Sequence, residues 1–366
     1  PRGRHPIQSG RGGGFARRPH PQRHGMGCHA EQGPGLKMQI AGRAHRGLLL
    51  SSEKTLAAFV GVYGGVVIRP DGTTFNMLFP YSYGTVNGKG VCFSPDNSHV
   101  CMTYSSYNVP GYQATIHNVA DGTIDRHLPI FSTGDAYTPT YSPDGQYLAF
   151  SCYTGTPSIV VFKTSDWTAV TLPELPGLCN MVRWAPDSSA LLCATNTAPH
   201  LWIYEAGPTW TRRAVSFGVG EQPPTVVSSL AINPAGNRIV LGAPNSGQKW
   251  AVYTYPSLSM QPGFTPSPPH PFNNSAIDMA ISADGSLLII ACEVSDNFFM
   301  YSMTTGEKIA LDASLKKRVS AVAFAKKGKS FGAVFPSDLP VSRVYNAALG
   351  LKNIPDITHA RYVALG

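Results

Sequence analysis

Tyr141-Ser142-Pro143-Asp144-Gly145-Gln146-Tyr147-Leu148-Ala149-Phe150-Ser151-Cys152 is the stretch on which the reading of this chain turns. Residues 137–141 read as a strand that stops at Tyr141. Pro143 then sets φ near about −65°, Asp144 caps its own backbone and Gly145 takes a positive φ, so each turn residue has a mechanical reason. Residues 147–152 form a second strand, apolar at nearly every position, as a strand covered on both faces must be. After a turn at Gly155-Thr156-Pro157, the β-branched residues 158–162 make a third strand. The more polar 168–172 make a fourth, on the outside.

The turn comes back. Phe93-Ser94-Pro95-Asp96, Trp184-Ala185-Pro186-Asp187, Ile232-Asn233-Pro234-Ala235-Gly236, Ile281-Ser282-Ala283-Asp284-Gly285 and Phe324-Ala325-Lys326-Lys327-Gly328 repeat it. Counting Tyr141 among them, the lead residues are spaced by 48, 43, 48, 49 and 43. A period in the forties built of short strands is the pattern of β-propeller blades. The strand order recurs at 191–194, 201–204 and 212–215, at 239–242 and 250–255, and at 287–292 and 298–303. A degenerate copy lies upstream: residues 48–54 stand in the turn position, 56–59 match 148–150, and 65–68 supply a third strand. The expected fold is all-β, a β-propeller of seven four-stranded blades with six or eight as alternatives. Residues 1–46 form an irregular arm, 47–366 the propeller, and 319–365 the last blade, with a weak fourth strand.

Charged residues make up 14% of the chain, against roughly 25% in an ordinary domain. Such a surface suits an extracellular particle, or a protein that buries much of itself against neighbours. The charge is also unevenly placed. Residues 1–50 hold eight Arg, Lys37 and the single acid Glu31, which accounts for the whole net charge of +8. Residues 51–366 balance 20 basic against 20 acidic side chains, so the propeller has no excess charge with which to attract nucleic acid. No apolar run approaches the roughly 20 residues of a membrane span, and the basic N-terminus lacks the apolar segment of a signal peptide. Release from a cell would then follow another route, such as lysis.

Residues 1–46, rich in Gly, Arg, Pro and His, carry too few apolar side chains to make a core. Arg2, Arg4, Arg11, Arg17, Arg18 and Arg23 are the expected contact residues of an extension that folds against a neighbouring subunit. A nucleic-acid tether is the second reading, because Arg-Gly segments track phosphates by counterion release. The third is that the segment is a tag, or upstream sequence before a start at Met26 or Met38. Between the fifth and sixth blades, Pro266, Pro268, Pro269 and Pro271 stiffen an extended loop that could dock a neighbour.

The search for an active site returns few candidates. There is no Walker A loop or Rossmann fingerprint, and the lack of a GxSxG elbow and of a second α/β domain to host one argues against a prolyl-oligopeptidase-type hydrolase. His99, His117, His127, His200, His270 and His359 lack metal-ligand spacing; His20, His24 and His29 with Cys28 would bind metal only adventitiously. No cofactor is expected. Asp71, Asp96, Asp144, Asp187 and Asp284 are explained by their turns. Asp135, Glu221 and Asp278 precede inner strands, where a carboxylate can face the channel mouth, and are the residues an enzyme would use. Solvated rim residues are the plainer reading of the three. The seven Cys read mostly as buried free thiols, although Cys92 and Cys101 flank one turn and could pair across it. Tyr81, Tyr83, Tyr104, Tyr107 and Tyr112, with Trp167, Trp202, Trp210 and Trp250, could stack sugars or anchor an interface, but most read as blade core.

Residues 141–150, followed by Ile159-Val160-Val161-Phe162-Lys163, resemble the SPDG-type, WD40-like propeller repeats. They lack the Gly-His pair that opens a WD40 blade and the Trp-Asp that closes its third strand; Asp166-Trp167 stand in reverse order. That departure argues against a eukaryotic regulatory scaffold. Together with Pro199-His200-Leu201-Trp202-Ile203-Tyr204, low charge and Ser/Thr-rich linkers, residues 47–350 resemble propeller proteins of tailed bacteriophage virions. The resemblance implies a non-enzymatic structural or attachment subunit, in the tail, at fibre attachment or as decoration. Its partners would be other virion proteins and copies of itself, with nucleic acid engaged only through the arm, and its location the virion rather than the cytoplasm. A soluble scaffold or carbohydrate-binding module is the alternative, and a lactonase- or glycosidase-like enzyme the second.

Overall fold

The structure, a computed structural model, describes residues 40–41, 56–61, 64–77, 88–105, 113–130, 135–152, 157–217, 226–242, 250–259, 261, 276–292, 298–309, 319, 321–326, 330–334, 343–346, 356–357 and 360–365. Among these, every regular element is a strand. Two short strands, Ile40–Ala41 and Asp356–Ile357, pair with each other. The others form seven antiparallel sheets.

Sheet 1 holds Ala360–Leu365, Ala57–Gly61, Gly64–Ile68 and Thr74–Met77, in that spatial order. Sheet 2 is Gly88–Phe93, His99–Tyr104, Ala114–Asn118 and Ile124–Leu128. Sheet 3 is Ala136–Tyr141, Tyr147–Cys152 and Ile159–Lys163. Sheet 4 is Cys179–Trp184, Ala190–Thr195, Leu201–Glu205 and Thr211–Ala214. Sheet 5 is Ser229–Ile232, Arg238–Gly242 and Trp250–Thr254. Sheet 6 is Ala276–Ile281, Leu287–Cys292, Phe298–Ser302 and Lys308–Ile309. Sheet 7 is Ala321–Phe324, Ser330–Val334 and Arg343–Asn346. The first strand named in each is its inner strand. Inner strands of successive sheets lie side by side from sheet 2 through sheet 7, and Ala360–Leu365 lies against both Ala321–Phe324 and Gly88–Phe93.

The cores sit between sheets. Seven apolar clusters each join two neighbours, and the period-2 alternation of a strand explains why whole strands read as apolar. In sheet 1, Ala57 and Phe59 pack toward Ala321, Ala325 and Val334 of sheet 7, while Ala58 and Val60 pack toward Val91, Phe93, Val100 and Met102 of sheet 2. In sheet 4, Leu191 and Cys193 face sheet 3 and Leu192 and Ala194 face sheet 5. Trp184, Trp210 and Tyr147 close the cluster between sheets 3 and 4 with ring centroids 5.4–5.8 Å apart, and Trp184 Nε1 donates to Thr140 O at 3.1 Å.

The repeated turn is held by its serine as well as by proline and glycine. Ser94, Ser142 and Ser282 each donate the hydroxyl to the turn aspartate, at 2.6, 2.5 and 2.6 Å, and accept the amide that opens the next strand, at 2.9 Å. In sheet 5 the Asn233 amide oxygen takes that place, accepting from the amides of Asn237 and Arg238 at 3.0 and 2.9 Å. Gly145 has φ of 75°, a backbone that excludes ordinary side chains. Asn97 and Ser188 adopt the same left-handed conformation where the phrase has no glycine.

Strand limits follow the expectation to within a residue or two, with two differences. Residues 168–172 make only an isolated bridge, Phe162 to Ala169, in place of a fourth strand; these edge residues are mostly exposed, so no burial rewards a longer ladder. The inner strand of sheet 1 comes from 360–365 instead of closing the last blade. Ala57–Gly61 would otherwise leave one edge of its ladder unpaired, and Ala57 instead pairs with Leu365 and Phe59 with Val363. Residues 48–54, expected at the sheet 1 turn, lie outside the described residues. So do the arm arginines Arg2, Arg4, Arg11, Arg17, Arg18 and Arg23, and the loop prolines Pro266, Pro268, Pro269 and Pro271.

Candidate inner-strand site

The inner strands of sheets 2 to 7 line a cavity of about 500 Å³. Their backbones approach closely: a Cβ on Gly90 would overlap the ring of Pro139. Pro139 has no amide to donate, which suits a strand whose free edge faces a cavity.

Two ion pairs involve inner-strand residues. Arg183 projects from sheet 4 toward Asp278 of sheet 6, with Nη2 3.6 Å from Oδ1. The carboxylate is fixed by backbone: Oδ1 accepts from Met279 N and Oδ2 from Val322 N, both at 3.0 Å. Arg183 Nη1 donates to Val182 O at 2.9 Å. Burial pushes the Asp278 carboxyl above its ordinary range, against the opposing pull of Arg183 and the two amides. Burial likewise pushes the Arg183 guanidinium below its ordinary value.

The second pair joins Lys89 of sheet 2 to Asp135, which precedes the inner strand of sheet 3, at 3.1 Å. Lys89 Nζ also reaches Tyr137 Oη at 3.2 Å and lies over that ring, 4.9 Å from its centroid. Burial acts to lower the Lys89 ammonium, but the bonds to Tyr137 and Asp135 leave it above the ordinary lysine range. Asp135 is 4% exposed, and its Oδ1 has no partner among the described residues.

Of the three acids expected at the channel mouth, Asp278 lines the cavity from within its strand and Asp135 sits beside Lys89. Each is held in its own ion pair, and neither is a solvated rim residue. Glu221 lies outside the described residues. Arg183, Lys89 and Lys326 escaped the sequence reading, although two of them leave a trace. Arg183 interrupts an apolar inner strand, and Lys326 stands where the turn phrase has proline. Its ammonium donates to Asn97 Oδ1 at 2.7 Å and to Ser94 O, bridging from the turn of sheet 7 to that of sheet 2, and burial pushes it below the ordinary lysine range.

Cys92 and Cys101 stand opposite each other in the ladder of sheet 2, and both are free thiols. Tyr104, Trp210 and Trp250 are core residues, while Trp167 and Trp202 lie under Arg126 and Arg212 at 4.0 and 4.7 Å. Tyr81, Tyr83, Tyr107 and Tyr112 lie outside the described residues. Among the described residues, no group of three His, Cys, Asp or Glu could hold a metal ion. No helix there is long and apolar enough to cross a membrane.

No family model matches the chain, and no curated protein matches it in sequence. Solved structures do. The β-propeller domain of Cps50 (Swd1) from Myceliophthora thermophila superposes with a TM-score of 0.58 at 10% identity, covering 78% of this chain and 90% of that one. A protein of unknown function from Desulfotomaculum acetoxidans gives 0.63 at 11% identity, covering 85% and 98%. Kuenenia stuttgartiensis hydrazine synthase gives 0.51 at 13%, covering 67% and 73%. At these identities the likeness concerns the fold alone: the chain folds as a β-propeller.

Proposed function

We propose that this chain is a non-enzymatic structural or attachment subunit of a bacteriophage particle, a tail, fibre-attachment or decoration component built on a seven-bladed propeller. The observation that carries the reading is charge segregation. The whole net charge of +8 falls in residues 1–50, and the remainder is balanced and sparsely charged. A neutral disc packs against neighbours without self-repulsion. A basic arm with little to bury gains order by folding onto another subunit. The blade count is supported by seven sheets, seven inter-sheet clusters and inner strands that neighbour one another from first to last. The non-enzymatic part is supported by the ion pairing of Asp135 with Lys89 and of Asp278 with Arg183. The partners are other virion proteins, including copies of this chain, and the location is the virion.

The test is the solution mass, by light scattering, of the full-length chain and of residues 47–366, each with and without nuclease. A defined oligomer that collapses to monomer on truncation, indifferent to nuclease, is the expected result. A monomer in both forms, with nucleic acid carried by the full-length chain alone, would replace the virion reading with a tethered binding module.

A further inference from the structure

The inner-strand cavity poses an electrostatic question that assembly does not answer. At about 500 Å³ it falls within the roughly 300–1,000 Å³ of small-molecule sites. Its described lining carries two cations, Arg183 and Lys326, and one anion, Asp278. Lys326 donates to neutral acceptors, Ser94 O and Asn97 Oδ1, with the Asp96 carboxylate of the same turn nearby, which leaves Arg183 as the cation free to take an anion.

The hydrogen-bond accounts of Arg183 and Asp278 are unequal. Both carboxylate oxygens accept a backbone amide. The guanidinium, with five N–H donors, makes one described bond, to Val182 O. Its approach to Asp278, 3.6 Å, is longer than the roughly 2.7–2.9 Å of a charge-assisted bond. A planar fork of N–H donors is thus left facing the cavity, and its geometric complement is a carboxylate. A carboxylate brings one negative charge to Arg183, whereas a dianion such as phosphate would meet more repulsion from Asp278.

The surrounding groups narrow the class further. Asn180, on the same strand as Arg183, donates its amide to Val227 O at 2.7 Å. Its side-chain oxygen has no described partner and suits a hydroxyl. Tyr137 also lines the cavity, but its hydroxyl is engaged by Lys89 and Asp135 and Lys89 lies over its ring, so it contributes bulk and shape to the wall.

We propose that the inner-strand cavity binds a small hydroxylated monocarboxylate, a sugar acid, whose carboxylate pairs with the fork of Arg183 while Asn180 accepts a ligand hydroxyl. The inference goes beyond the assembly reading and does not depend on it. The same chemistry could come from a free sugar acid or from the end of an acidic polysaccharide.

The experiment is calorimetric titration of the full-length chain with glucuronate, with a glucuronate-ended oligosaccharide, and with glucose and inorganic phosphate as controls. Saturable binding of glucuronate without binding of glucose is expected, with phosphate the weaker anion. Tighter binding of the oligosaccharide assigns the polymer as source, and equal or weaker binding assigns the free acid; both support the site. Arg183→Met is expected to weaken binding roughly ten- to a hundredfold, the worth of a charged hydrogen bond. Arg183→Lys, which keeps the charge and loses the fork, is expected to fold even where Met does not, and to weaken binding about tenfold. Asp278→Asn, which removes the repulsion, is expected to tighten it. No saturable binding of either carboxylate, a preference for phosphate, or wild-type affinity in a folded Arg183→Lys protein would overturn the proposal.

Discussion

Sheets 3 and 1 are built from the same strand order by opposite routes. In sheet 3 the inner strand Ala136–Tyr141 passes directly into Tyr147–Cys152 through a turn tied by Ser142, Asp144 and Gly145. In sheet 1 the equivalent partners, Ala360–Leu365 and Ala57–Gly61, meet in the same antiparallel register, yet the chain between them runs through every other sheet. The first pairing closes a loop of a few residues at little entropic cost; the second closes a loop of about three hundred. Their cores differ as well. Sheet 3 meets sheet 4 through Trp184, Trp210, Leu191 and Tyr147, whereas among the described residues sheet 1 meets sheet 7 through Phe59, Val66, Ile68 and Val334 with Ala57, Ala321 and Ala325. The lesson is that a remote pairing carries a larger closure entropy than a local one, and Lys326 adds a side-chain link from the turn of sheet 7 to that of sheet 2.

Three measurements would break or sharpen this contrast. Deleting residues 360–366 removes the inner partner of Ala57–Gly61 and opens the fully buried Ala58, Phe59 and Val60. The loss is expected to consume most of a domain stability of roughly 5–15 kcal/mol, read as disappearance of the cooperative thermal transition in circular dichroism. A truncated chain that melts like the intact one would show that sheet 1 does not depend on the remote strand.

Lys326→Met is next in size. It deletes two hydrogen bonds from a charged donor on a solvent-exposed side chain, where water competes for the ammonium, leaving a net loss of at most about 1 kcal/mol in urea unfolding. Hydrogen exchange localises the effect: protection is expected to fall at 57–61 while 147–152 keep theirs. Equal loss at both would make Lys326 an ordinary stabilising residue.

The smallest effect concerns the locally tied turns. The Asp96 carboxyl is held down to about 2, first by the hydroxyl of Ser94 and then by the amide of Ser98. Because the folded value lies below the unfolded one, its contribution is complete above about pH 4 and is lost as the pH falls toward about 2. Asp96→Asn is expected to lower stability by a constant amount above about pH 4, and that deficit to shrink as the pH falls toward about 2, where the wild type loses the same contribution, as followed by urea midpoints against pH.

Much of this was legible before the structure, for local reasons. The phrase Ser142-Pro143-Asp144-Gly145 specifies its turn through φ and hydrogen bonds among residues five apart, so its recurrences could be counted directly. Residues 319–365 were read as the last blade with a weak fourth strand, because strand propensity carries no information about partner. Residues 168–172 were read as a strand from β-branched composition, but an exposed edge stops at a bridge. Asp135 and Asp278 could be picked out as acids beside inner strands. Their partners could not, because Lys89 and Arg183 lie more than forty residues away in sequence and only the placing of inner strands side by side brings them together.

By itself, then, the sequence determined the repeating unit, its turns, the all-β class and the segregation of charge, since period-2 alternation, proline and glycine dihedrals and formal charge act over a few residues. The tertiary structure alone decided that the last described strand completes the first sheet, that Lys326 links the turns of sheets 7 and 2, and that Arg183 faces the inner-strand cavity. Those depend on which edges and faces remain uncovered once the sheets have packed, and no local rule records that.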